Sequence, residues 1–372
     1  INKYHPIQWL AKCIEKERIR KNEGFDYTKD LYNKTEFLNI LSDIVIRISQ
    51  NSKLDTKIPT DIEFEDFFIG YIDTEAFKTK LIEKHGLEAM PIIMHEQIKF
   101  VDNIKNILGR MIVLYGKYED EIKEATGLNI NDLIVIFFVI KGKYSNEKFH
   151  IFQKENISTY VIDGLQEDKI EKFLNYFSIT IKEYKQKLKS LGINKSQLHS
   201  FRLIEKYPII KIEDRGYIVP NTDNLMQSIS SNFNIHLLEH YQAKGEALKF
   251  NNILGNKFED YVTELTKQKF DNLIFADSIV PKNSLNSEFV IDYQDTSIVV
   301  EVKKLSLKRD TTFQDNINEF NNILERHLVK AFAQVETTLN YVRNKNKIGI
   351  IVIFDYINFP TMINSYLKNK YP

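Results

Sequence analysis

The chain has 372 residues and 43.8 kDa, with 51 Lys plus Arg balanced by 51 Asp plus Glu and a pI near 7.2. One cysteine, Cys13, excludes a disulfide framework and a multi-cysteine zinc site. The longest apolar run, Leu133–Ile140, falls far short of the roughly 20 residues a membrane-crossing helix needs, and the zero net charge gives no global electrostatic case for nucleic-acid binding.

Residues 1–200 read as a mainly α-helical region. Leu31–Ile48 places Leu31, Phe37, Leu38, Leu41, Ile44, Val45 and Ile48 at spacings of three and four, the rhythm of an amphipathic helix. Phe100–Ile112 and Lys169–Leu191 repeat that pattern. Asn129–Ile140 is open between a buried strand and a helix capped by Asn129 or Asn131. Residues 201–250 read as a connector: two short strands, Tyr-Pro-Ile-Ile-Lys-Ile and Tyr-Ile-Val-Pro, joined by a polar turn, then a helix over Asn221–Gln242 and a linker over Gly245–Gly255. Residues 251–372 give an α/β pattern. It runs helix (Gly255–Phe270), strand (Asn272–Val280), hairpin (Glu288–Leu305), long helix (Gln314–Asn344), strand (Lys347–Asp355).

The hairpin carries the chemistry. A two-residue loop at Asp295-Thr296 would pair Asp292 with Val299 and Val290 with Glu301. Opposed residues share a face, as do alternate residues of one strand, so Asp292, Glu301 and Lys303 would project from one side. The two carboxylates would then stand at diagonal positions, roughly 7–8 Å apart at the backbone. Burying two carboxylates on so apolar a strand is costly, and a shared Mg²⁺ or Mn²⁺ would remove that cost.

An upstream Asp, Glu-x-Lys on the next strand, a preceding helix with Glu259 and a following helix with Gln334 together resemble the PD-(D/E)xK nuclease superfamily. The resemblance covers about the last third of the chain. It implies an αβββαβ restriction-endonuclease-like core and metal-dependent hydrolysis of DNA, with DNA expected before RNA. Asp292, Glu301 and Glu259 would be the metal ligands, Lys303 would orient the attacking water, and Gln334 would face the site. Lys304, Lys308 and Arg309 lie immediately downstream of Glu301, and Lys330 stands one turn before Gln334, where a phosphate backbone would pass. The layout is similar to bacterial anti-phage defence nucleases, so the helical region would supply targeting, regulation, a homodimer contact or a surface for a partner protein. A cytoplasmic protein without membrane association is expected, since no secretory pattern opens the chain.

Two other readings stay open. The acidic-x-Lys strand is also compatible with a solvated face, or with a nuclease-derived binding or scaffold module without activity. His236, Glu239 and His240 spell the His-x-x-Glu-His pattern of inverted zincins, which would make the protein a zinc metallopeptidase.

Overall fold

The computed structural model describes residues 3–22, 57–74, 111–146, 152–161, 165–190, 202–230, 233–304 and 325–354, with parts of 42–49 and residues 108, 109 and 322. The fold is mixed α/β. The described residues fall into two compact units, one holding those up to Lys244 and the other those from Gly245 onward. Of the connector expected over 201–250, the described residues up to Lys244 fall in the first unit.

The first unit contains helices α1 (Pro6–Asn22), α2 (Asp61–Thr74), α3 (Glu119–Thr126), α4 (Ile130–Asn146) and α5 (Glu167–Tyr176). Strand β1 (Ser178–Thr180) and helices α6 (Ile181–Ser190) and α7 (Arg202–Lys206) follow, then β2 (Ile209–Ile212), β3 (Gly216–Ile218), α8 (Thr222–Ile229) and α9 (Phe233–Ala243). The open choice at Asn129 resolves as a helix. Asn129 Oδ1 accepts from the Asp132 N–H at 2.8 Å and Asp132 Oδ2 accepts from the Asn129 N–H at 3.2 Å, a reciprocal cap that starts α4. The helix expected across Lys169–Leu191 is broken: Ser178–Thr180 forms a strand parallel to β2, with Ile179 buried. Thr180 then opens α6 through the same reciprocal bonding with Glu183. Leu31–Ile48 and Phe100–Ile112 lie largely outside the described residues, although the described part of 42–47 is helical.

In the second unit, α10 (Ala247–Lys267) absorbs most of the expected linker, because Gly245 alone takes the left-handed turn, at φ +74°. Then come β4 (Leu273–Phe275), β5 (Phe289–Tyr293), β6 (Thr296–Lys303), α11 (Lys330–Tyr341) and β7 (Asn346–Ile353). The sheet order is β4-β5-β6-β7, antiparallel between the first three strands and parallel between β6 and β7. Parallel neighbours require a crossover, and α11 supplies its helix. Val335 of α11 packs with Val290, Val299 and Val342 on the sheet face that also carries Glu301 and Lys303. Ile317 to Leu324, counted in the expected long helix, lie almost wholly outside the described residues.

Candidate active site

The hairpin closes one residue earlier than its sequence suggests. Tyr293 pairs with Thr296, leaving Gln294 and Asp295 as the loop, with Gln294 at φ +54°. Asp292 therefore pairs with Ser297 rather than Val299. It keeps the face of Glu301 but stands four residues farther along the strand, about 13 Å at ~3.3 Å per residue. Its Oδ1 accepts hydrogen bonds from Ser297 Oγ and from Asn344 Nδ2. Asp292 is thus a structural residue at the turn end of the hairpin, and the expected Asp292–Glu301 pair does not form.

Another acid takes the place beside Glu301. Phe289 pairs with Val300, and the Glu288 N–H also donates to the Val300 carbonyl at 3.1 Å. Two residues thus face one, a β-bulge that re-aims the side chain at the start of β5. The segment leading into it is clamped from α11. Gln334 Nε2 donates to the Asn286 carbonyl at 2.7 Å, and the Ser287 N–H donates to Thr338 Oγ1 at 2.9 Å. Gln334 thus holds the backbone that leads into Glu288.

Glu259 arrives from α10. Phe250, Leu254 and Phe258, spaced by four, form its buried stripe. Phe258 meets Phe354 edge-on at 5.1 Å, and the Phe354 N–H donates to the Lys303 carbonyl at 3.1 Å. This packing fixes α10 against the end of β6 that carries Glu301 and Lys303.

Glu301 is fully buried. Its Oε1 is ion-paired to Lys303 Nζ, while Oε2 meets no hydrogen-bond donor among the described residues. Burial pushes its carboxyl up to about 7, with Lys303 opposing and Glu288 and Glu259 adding to the rise. Glu259 is likewise raised to about 7, chiefly by burial, then by Glu288. Burial also raises Glu288, with Lys303 acting in the other direction. Three carboxylates therefore repel one another around a single ammonium.

The donor chemistry fits a hard divalent cation: carboxylate oxygens, one of them buried and unpartnered. Among the described residues, however, no group of three or more His, Cys, Asp or Glu side chains is arranged to hold a metal ion. Lys303 Nζ stands at one of the Glu301 carboxylate oxygens.

Lys304 Nζ donates to Asn251 Oδ1 of α10, and burial lowers its pKa to about 8. Lys330 is exposed at the start of α11, and Lys308 and Arg309 lie outside the described residues. The zinc-like pattern comes apart in α9. His236 is buried, with Nε2 2.9 Å from Ser228 Oγ, whereas Glu239 pairs with Lys206 and His240 Nε2 lies 3.7 Å from Glu124. Each member has its own neighbour, and the three do not share a site.

Glu288 was the acid that strand periodicity missed; its only sequence signal is its place at the head of the apolar run Phe289-Val290-Ile291. Compared with models of protein families, with curated proteins and with solved structures, the chain has no match.

Proposed function

We propose that the second unit is a divalent-metal-dependent nuclease of the restriction-endonuclease-like class, hydrolysing DNA phosphodiester bonds, and that the chain serves bacterial restriction or anti-phage defence. The observation that carries this reading is the coupled set Glu259, Glu288 and Glu301 around Lys303 at one end of β6. The order α10-β4-β5-β6-α11-β7 supports it, because it follows the αβββαβ pattern.

Glu288 and Glu301 would hold Mg²⁺ or Mn²⁺, with Glu259 completing the set. Such a metal, when bound, supplies a water of lowered pKa and charge stabilisation at the phosphate. Lys303, released from Glu301, would orient that water and face the phosphate. Gln334 and Thr338 keep the Glu288 segment in register. Lys304 contributes positive charge beside the carboxylates.

One observation favours a second reading, an inactive nuclease-fold DNA-binding module: the ammonium of Lys303 already occupies Glu301 Oε1. Plasmid DNA incubated with the purified chain separates the two. Cleavage in Mg²⁺ or Mn²⁺ that disappears in Glu301→Gln and Lys303→Ala supports the nuclease. DNA retention without cleavage in either metal supports the module.

A further inference from the structure

Strand β7 ends the sheet of the second unit, and among the described residues no strand pairs with its outer edge. The Asn346 N–H donates to the Asp295 carbonyl at 3.3 Å, and the Phe354 N–H donates to the Lys303 carbonyl at 3.1 Å. In a parallel ladder alternate residues bond to the same neighbour, so the even-numbered residues of β7 face β6. Lys347, Gly349, Ile351 and Ile353 therefore turn their N–H and C=O groups outward. Residues Asn346 to Ile350 are all exposed. Gly349 shows what is exposed there, because a residue without a side chain presents only backbone. Sheets ordinarily blunt such an edge with charge, proline or a bulge. Here β7 pairs with β6 residue for residue along its whole length, so it has no bulge. It holds no proline, and its one charged residue is Lys347. The Lys347 ammonium donates to the Leu339 carbonyl of α11 at 2.6 Å, so it is drawn back from the edge. On the sheet face opposite Glu301, Ile348 and Ile350 stand beside Ile298 and Val300, and they are 48 % and 41 % exposed.

We propose that β7 pairs antiparallel with β7 of a second copy of this chain, about a twofold axis perpendicular to the sheet. Such an axis matches each sheet face with itself, so odd-numbered residues meet odd-numbered residues in every register. The outward N–H and C=O groups of one copy then find those of the other, and the edge is satisfied by itself. Ile348 and Ile350 meet their own counterparts across the axis, which removes apolar surface from water. Charge allows the match, since Lys347 is the single charge of the strand and its ammonium is held at α11. The same lack of charge gives the edge no pattern that would select a charged peptide in place of a second copy. Helix α11 fits this axis as well. Val335 packs on Val299 of β6 and stands over Gly349 of β7, so α11 lies across these two strands. With neighbouring strands ~4.8 Å apart, the two α11 helices come within about 10 Å, the separation of packed helices. The pairing is independent of the nuclease reading.

The test is sedimentation velocity of the full chain over a concentration series. The exposed edge is about 16 Å long at ~3.3 Å per residue, a small interface, so the wild type should pass from monomer to dimer in the micromolar range. Ile350→Lys places a charge in the contact and should weaken dimerisation about tenfold or more. Lys347→Pro removes an outward N–H and no bond to β6, so it should weaken dimerisation by a similar factor. Lys347→Ala keeps that N–H and should dimerise as the wild type does, which separates the backbone from the side chain. Both weakened variants should retain the wild-type circular dichroism. A wild type that stays monomeric at every concentration overturns the proposal and leaves the edge to a strand of another protein. A dimer untouched by Ile350→Lys and Lys347→Pro overturns it too, as does one that Lys347→Ala weakens as much as Lys347→Pro.

Discussion

A buried carboxylate with one oxygen on an ammonium and the other without a hydrogen-bond donor is costly to keep charged, and among the described residues Glu301 is such a group. Its carboxyl is raised from 4.5 to about 7, so the folded chain holds a proton there that the unfolded chain releases. That contribution to stability is complete below the unfolded value and is lost as pH rises through about 7. Metal-free Glu301→Gln should therefore melt above the wild type at about pH 8, and the gap should close toward about pH 5. Each kcal/mol is worth roughly 2–4 °C in a domain of ordinary size. Mn²⁺ should reverse the order at the higher pH by stabilising only the wild type, and its affinity should rise with pH as the carboxylates lose their protons. Melting curves across pH, with and without Mn²⁺, check both statements; a gap that widens on acidification contradicts the assignment of the burial cost to Glu301.

At the scale of elements, α11 lies close on the sheet, and Gly349 of β7 permits it. A Cβ added there would stand 2.4 Å from Val335 Cγ1, which a β-branched side chain cannot easily yield. Gly349→Ala should cost about 1–3 kcal/mol by overpacking, and Val335→Ala in the same chain should recover part of it. Denaturant titration of the single and double variants measures this; strictly additive losses would show that the contact does not exist. The same sheet shows what the sequence could and could not reveal. Glu301-x-Lys303 and the face it shares with Asp292 followed from period-two alternation alone. The partner of Glu301 did not, because the turn closes through Gln294 at φ +54° and carries no Asn-Gly signal. Moving that turn by one residue preserved the face but slid the pairing by two, from Asp292 opposite Val299 to Val290 opposite Val299. The bulge that brings Glu288 in is a hydrogen-bond feature that residue type does not announce. The helices around Asn129 and Thr180 were limited in the same way, since their starts depend on reciprocal caps that periodicity leaves open.

At the scale of the whole chain, two units with separate cores should unfold as two transitions. Gly216, at φ +128°, would place a Cβ 2.0 Å from the Phe152 carbonyl oxygen, so Gly216→Ala should lower the transition of the first unit. Gly349→Ala should lower that of the second, and Mn²⁺ should raise only the second. Calorimetry on the intact chain reads all three, and a metal shift in the Gly216-sensitive transition would move the cation site out of the second unit. The charge balance takes on meaning at this scale too. Residues 251–372 hold 15 Lys plus Arg and 15 Asp plus Glu, so this stretch is as neutral as the chain. Its acids converge locally around Lys303. DNA binding by such a unit depends on a few contacts and on metal rather than on a general positive field. The most direct test is plasmid cleavage in Mn²⁺ by four proteins: wild type, Glu288→Gln, Glu301→Gln and Asp292→Asn. The expected result is cleavage by wild type and Asp292→Asn, with loss of at least a hundredfold, on the order of one missing transition-state contact, in both glutamate variants. Cleavage that survives Glu288→Gln but fails in Asp292→Asn would contradict the site described here.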